Sequence, residues 1–254
     1  MKNPKNLFKA GLTAGQRQLG IWNTVGGNTV PELLGGSGFD WVLVDCEHAA
    51  IETVEVLPAL QAIGQNPDTS AIVRVAANDP TLFKRVLDMG AQTVMVPYVQ
   101  TADEAAAAVH AMRYGPNGIR GMAGMTRATR YGRVKDYYIK AEEELCLIVQ
   151  IETLEGLQNL DAIAQTDGVD AVFIGPADLS ASMGLRGQVS HPDVDKAIAD
   201  AITELVNMDV PAGVMALDPA VAQRYLACGA SFVAVAVDLV TLADAVADIR
   251  NRFS

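Results

Sequence analysis

The chain has 254 residues, 50% of them apolar, with 30 acidic against 19 basic side chains and a net charge of −11. That length and apolar share suffice for one α/β domain over residues 1–254 with a large core. The acidity leaves no basic stripe to neutralise nucleic-acid phosphates or an anionic membrane surface.

Strand-like and helix-like segments alternate along the chain. A short helix is predicted over residues 6–14, then a strand at 18–25, a helix at 29–35, a strand at 41–47 and a helix at 53–65. A strand at 71–75 precedes a helix at 80–89, where Pro80 suits the first turn. A strand at 93–98 precedes a helix at 101–114, with Thr101 and Glu104 spaced as a capping box. Residues 115–131 carry too many glycines for either element, and 133–144 reads as helix. The alternation resumes with strands at 146–152, 171–175, 212–216 and 232–237, and helices at 154–165, 193–208, 219–228 and 239–250. Eight such units imply a parallel sheet closed into a (β/α)8 TIM barrel. An open doubly wound sheet is the alternative, but residues 23–27 lack the glycine fingerprint of a dinucleotide site.

No apolar run reaches the length of a membrane span, and the polar first ten residues lack a signal core. Cys46, Cys146 and Cys228 form an odd, sparse set without metal-ligand spacing, which fits a reducing compartment. The expected location is the cytoplasm.

Barrel enzymes carry their reactive groups where strands end. Two neighbouring apolar strands lead into carboxylates, Glu152 and Asp178, which suggests two oxygen ligands for one hard cation, Mg²⁺ or Mn²⁺. Either acid alone could instead cap the helix that follows. His48 is the one histidine at a strand end and reads as the acid/base, with Asp45 three residues earlier to hold its tautomer; a solvated loop histidine is the plainer alternative. Arg74 ends an apolar strand, and its planar fork suits a carboxylate or enolate, unless it serves only a salt bridge to Asp45 or Glu47. Gln150 shares a strand face with Glu152, and Trp22 ends the first strand. No lysine ends a strand, so a Schiff-base nucleophile is missing. The last two strands are not followed by phosphate-binding glycines, so a free acid is the better substrate.

The run Gly38-Phe39-Asp40-Trp41-Val42-Leu43-Val44-Asp45-Cys46-Glu47-His48, followed by Arg74-Val75, Gln150-Ile151-Glu152-Thr153 and Gly175-Pro176-Ala177-Asp178-Leu179-Ser180, resembles the HpcH/HpaI aldolases, metal-dependent pyruvate aldolases. The resemblance spans nearly the whole chain. It implies a barrel of the phosphoenolpyruvate/pyruvate-domain type whose last helix is exchanged between subunits, commonly in a hexamer built as a dimer of trimers. It also implies Glu152 and Asp178 as ligands of Mg²⁺ or Mn²⁺ (Co²⁺ being admissible), and His48 with Asp45 as acid/base. Arg74 would sit on the keto oxygen, and Trp22, Gln150, Gly175 and Ala177 would line a pyruvate pocket. The substrates would be pyruvate and an aldehyde. A CoA-thioester lyase of the malyl- or citramalyl-CoA type is the rival. It would need a basic groove, for which Arg120, Arg127, Arg130 and Arg133 are the candidates; those arginines could equally make subunit contacts or bind an aldehyde's carboxylate.

Overall fold

Alternation of inward and outward side chains organises the sheet, as the period of an extended chain requires. The computed structural model describes residues 1–253. Its elements in order are α1 (Leu7–Thr13), β1 (Gln18–Asn23), α2 (Thr29–Gly35), β2 (Trp41–Asp45), α3 (Thr53–Ile63), β3 (Ser70–Arg74), α4 (Pro80–Asp88), β4 (Thr93–Val96) and α5 (Ala102–Met112). After a long loop come α6 (Tyr137–Lys140), a 3-10 turn (Ala141–Glu144), β5 (Cys146–Ile151), α7 (Leu154–Gln158), α8 (Leu160–Ala164) and β6 (Ala171–Ile174). The chain finishes with α9 (Pro176–Ser182), α10 (Pro192–Asn207), β7 (Ala212–Met215), α11 (Pro219–Ala227), β8 (Phe232–Val237) and α12 (Asp238–Asn251). The strands pair in sequence order, all parallel, and β8 returns to β1 to close a barrel.

Outward residues such as Val42, Val44, Val73, Val94 and Val172 join the helices in the larger core. Inward ones, among them Trp41, Leu43, Ile72, Met95, Ile148, Phe173 and Phe232, fill the barrel. Phe8 of α1 stops the bottom, its ring 5.3 Å from that of Phe232 and 6.3 Å from that of Trp41. Gly20 and Gly213 make room for this layer, since a Cβ at either would enter the ring of Trp41 or Phe232. Two residues further along several strands the inward side chain turns polar: Leu43 gives way to Asp45, Ile72 to Arg74, and Ile148 to Gln150 and then Glu152. The apolar layer is thus the floor of a polar mouth.

The capping box of α5 forms as the spacing predicts. Glu104 N–H donates to Thr101 Oγ1 at 3.2 Å, and Glu104 Oε2 accepts from Thr101 N at 3.2 Å. Departures from the expected elements are local. The helix expected over 133–144 begins only at Tyr137 and tightens into the 3-10 turn, because left-handed Arg130, Tyr131 and Gly132 hold the preceding chain as a loop. The helix at 154–165 divides at Asn159 into α7 and α8. The segment after β6 forms a separate short helix, α9, ahead of α10, beginning before Asp178 and not after it. The last helix, α12, leaves most of its surface uncovered: Leu239, Val240, Leu242, Val246 and Ile249 are all exposed. Among the described residues no helix is long and apolar enough to cross a membrane.

Candidate active site

Asp45 and Arg74 are register partners at the ends of β2 and β3, so their inward side chains meet. The guanidinium grips the carboxylate bidentately, Nε to Oδ1 at 2.9 Å and Nη2 to Oδ2 at 2.6 Å. Both groups are buried, at 6% and 1% exposure. Trp22 Nε1 donates to Asp45 Oδ2 at 3.2 Å, and its ring lies 5.2 Å under the guanidinium carbon. Burial opposes ionisation of Asp45, but the hydrogen bond and charge of Arg74, with the main-chain amides of Glu47 and His48, hold it below the usual carboxylate value.

Arg74 continues across the barrel. Its Nη1 lies 2.8 Å from Glu47 Oε2 and donates to Gln150 Oε1 at 3.4 Å. The contact with Glu47 lacks hydrogen-bond alignment, so that buried oxygen stays unsatisfied. Gln150 Nε2 in turn donates to Glu152 Oε2, while the main-chain amide of Tyr98 donates to Glu152 Oε1 at 2.9 Å. Glu152 is 3% exposed. Burial, then the charges of Glu47 and Asp178, push its carboxyl up to about 7. Glu47 is likewise raised, by burial and by the charges of Asp45 and Asp178, against the pull of Arg74 and His48.

Neither acid serves as a helix cap. Thr153, not Glu152, caps α7, and Gly175 occupies the cap position of α9. Asp178 sits in the first turn of α9 and is half-buried. Gly175 closes this wall: a Cβ there would stand 2.5 Å from Glu152 Oε2 and 2.8 Å from Gln150 Nε2. Ala177 is exposed at the rim.

His48 differs from the sequence expectation in its partner. Asp45 receives its main-chain N–H at 3.4 Å, but the imidazole Nε2 lies 3.7 Å from Glu47 Oε1 and the side chain is 64% exposed. Both oxygens of Asp45 are committed to Arg74 and Trp22. The carboxylate beside the histidine is therefore Glu47, which sequence reasoning treated only as a possible partner of Arg74. The amide of Tyr98 was also missed. It reaches Glu152 because Tyr98 adopts φ 58°, a left-handed conformation rare outside glycine, and no residue type announces that.

The chemistry of the donor set suits a divalent cation. Asp45 and Glu47 share one permanent cation, Arg74, while Glu152 and Asp178 add their charge beside Glu47, and the burial-raised carboxyl of Glu152 with the unsatisfied oxygen of Glu47 marks surplus negative charge. Among the described residues no three His, Cys, Asp or Glu side chains form a ready-made cage. Two carboxylates with substrate and water completing the shell is the usual arrangement for Mg²⁺. The arginines considered for a CoA groove lie elsewhere. Arg120 is buried on Asp88 at 2.9 Å and stacks on Tyr114 at 4.5 Å. Arg127 donates to Met89 O at the lower end of α4, at 2.9 Å. Both stand at the opposite end of the barrel from the mouth.

A family model described as HpcH/HpaI aldolase/citrate lyase matches residues 18–245. The pyruvate aldolase of Rhizobium etli is 50% identical over 254 residues, covering 100% of both chains. The hydroxypyruvate/pyruvate aldolase of Sagittula stellata is 47% identical over 254 residues with the same coverage. The crystal structure of an HpcH/HpaI aldolase/citrate lyase family protein from Burkholderia cenocepacia superposes with a TM-score of 0.94 at 36% identity, covering 98% of this chain and 99% of that one. With that likeness end to end, and the strand-end residues of the resemblance gathered at one mouth, the chain belongs to the HpcH/HpaI aldolase/citrate lyase family.

Proposed function

We propose that this protein is a divalent-metal-dependent aldolase that reversibly cleaves a 4-hydroxy-2-oxo acid to pyruvate and an aldehyde. One observation carries the reading. Four carboxylates cluster at the barrel mouth, where Asp45 and Glu47 share the one arginine, Arg74, and the other two, Glu152 and Asp178, have no cation partner among the described residues. Those two would hold Mg²⁺ or Mn²⁺, with Co²⁺ admissible. When bound, the ion supplies Lewis acidity that makes the carbons next to a keto group acidic.

Arg74 binds the keto oxygen and stabilises the negative charge that gathers there as the enolate forms, the largest electrostatic contribution from the chain. Asp45 and Trp22 keep its guanidinium in place, so Asp45 acts on the reaction through Arg74. Gln150, Gly175 and Ala177 line the pyruvate pocket, Gly175 by leaving the space a side chain would take. In cleavage, His48 accepts the proton of the C4 hydroxyl, directly or through water. The C3–C4 bond breaks, its electron pair becomes the enolate of pyruvate, and protonation at C3 completes the product. Condensation runs the same path backwards, with His48 returning the proton. That the two relatives are a pyruvate aldolase and a hydroxypyruvate/pyruvate aldolase supports pyruvate as the product. The CoA-lyase reading finds no support in Arg120, Arg127 and Arg130, which stand at the base of the barrel, away from the mouth.

The barrel is read as one functional unit spanning the chain. The uncovered apolar side of α12 supports exchange of that helix between subunits, in the hexamer the resemblance implies, and three free cysteines fit the cytoplasm. The test is pyruvate release from 4-hydroxy-2-oxo acids. EDTA should abolish it and Mg²⁺ or Mn²⁺ restore it, and borohydride with pyruvate should leave the protein unlabelled. Trapping of pyruvate on a lysine would refute the mechanism.

A further inference from the structure

The base of the barrel carries a second cluster that the reaction does not use. Two adjoining clefts, of about 30 and about 160 Å³, open between the amino-terminal segment, the starts of β3 and β4, and the loop before α6. Arg127 and Arg130 line both, and Lys5 lines the larger. Neither cleft contains an aspartate or glutamate, in a chain with 30 acidic residues. Among the described residues, Lys5 and Arg130 make no side-chain hydrogen bond or ion pair, and Arg127 makes one hydrogen bond, through Nη1 to Met89 O. The remaining guanidinium donors have no protein acceptor.

This arrangement costs the fold something. Arg127 is held below its ordinary pKa by burial and by the charge of Arg130, with only Tyr131 opposing. Room for it is made deliberately: Gly90, at φ 93°, has no Cβ where one would stand 2.8 Å from Arg127 Nη1. Like charges brought together and desolvated without a counter-charge are stable when an anion completes them. In the larger cleft the Ser70 hydroxyl adds a polar group, while Thr69 Oγ1 is spent on Gly35 O and Phe39 O and Gln92 Nε2 donates to Pro4 O; the cleft's 160 Å³ holds several waters. That is the scale of a tetrahedral oxyanion.

We propose that this basal cleft binds a phosphate group, held by the forks of Arg127 and Arg130 with Lys5 at the rim. The arginine fork fits phosphate oxygens two at a time. The site lies on the amino-terminal face of the barrel, so its occupant does not touch substrate at the mouth of the same barrel.

The test is calorimetric titration of inorganic phosphate into the intact, Mg²⁺-loaded protein at constant ionic strength. One phosphate per chain is expected, not displaced by pyruvate. Arg130→Gln and Arg127→Gln should each weaken binding roughly ten- to a hundred-fold, the loss of charge-assisted hydrogen bonds. The Arg130 side chain makes no polar contact among the described residues, so its variant decides the matter if Arg127→Gln misfolds. Glycerol 3-phosphate binding tighter than inorganic phosphate identifies a phosphorylated metabolite as the occupant; equal or weaker binding identifies free phosphate. Unchanged affinity in Arg130→Gln, or displacement by pyruvate, overturns the proposal. So does a wild type that binds no phosphate while Arg130→Gln alters the oligomeric mass, since that assigns the arginines to acids of a second copy.

Discussion

Gly175→Ala tests the site geometry with a single methyl group. The backbone at Gly175 has φ −91°, which any residue adopts, so the cost is one of space. The new Cβ would stand 2.5 Å from Glu152 Oε2, 2.8 Å from Gln150 Nε2 and 2.9 Å from Glu152 Cβ. Ordinary contact requires these groups to retreat by about 1 Å, and inserting a methyl into a close-packed site costs about 1–3 kcal/mol. Retreat is not free for Glu152, whose Oε1 is anchored on Tyr98 N. A misplacement of that size costs about 100-fold in rate, and the metal requirement should shift to higher concentration because a ligand has moved. The assay is initial-rate pyruvate release against Mg²⁺ concentration, with thermal melting to confirm folding. Gly124→Ala is the control, since a Cβ there meets nothing within 4 Å. A folded Gly175→Ala protein with wild-type turnover and wild-type metal dependence would refute the placement of Glu152 as a ligand.

Arg74→Lys keeps the charge but loses the fork that spans Asp45 Oδ1 and Oδ2; turnover should fall by about two orders of magnitude, with a parallel loss in the rate at which pyruvate exchanges its methyl protons in D₂O. The metal-free protein should lose stability as pH rises from about 4.5 to about 7. The folded state there keeps a proton on Glu152 that the unfolded chain, with its ordinary 4.5, has released. The shift of Glu152 is worth about 3 kcal/mol, and Glu47, also raised, acts in the same direction; Mg²⁺ should flatten the slope and Glu152→Gln should make it shallower, as read from denaturant melts across that window. The stability that Asp45 contributes, its carboxyl being shifted downward, is fully present above its ordinary 3.8 and is lost only as pH falls below it, so it does not interfere. Leu242→Asp with Val246→Asp places two charges on one side of α12, where both side chains are now exposed at 55% and 57%. Sedimentation should show a smaller assembly with the barrel's circular dichroism intact, and an unchanged mass would refute helix exchange.

The parts of this molecule legible in sequence are those carried by local chemistry. The eight strands announced themselves as β-branched runs, and the barrel followed from their alternation with helices. Strand-end polar residues stood out because nothing apolar explains them, which is how Asp45, Arg74, Gln150 and Glu152 were found. What sequence could not supply was partnership across the barrel. Asp45 lies three residues from His48 and was read as its support. The register of β2 with β3 instead sets Asp45 against Arg74, a residue 29 positions away, and leaves Glu47 beside the imidazole. The Tyr98 amide was illegible for a different reason: a main-chain donor has no letter of its own, and only its left-handed backbone aims it.

The mouth therefore has two unlike halves. Asp45, Arg74 and Trp22 form a closed, paired cluster, with charge balanced and donors matched to acceptors. Beside it, Glu47 has only a share of Arg74, and Glu152 and Asp178 hold negative charge that no cation of the described residues pairs. A carboxylate cluster of this kind would ordinarily be selected against, because each buried acid raises the cost of ionising the next. Its persistence makes sense if the metal-free protein is the strained state and cation binding relieves it. The same surplus charge that disfavours the empty mouth would then set the affinity of the full one. Replacing Glu47 by Gln should thus stabilise the metal-free protein while weakening Mg²⁺ binding, a pair of opposite changes measurable on one sample by melting with and without the ion. Loss of stability in both states would mean that the carboxylates are held by the fold alone.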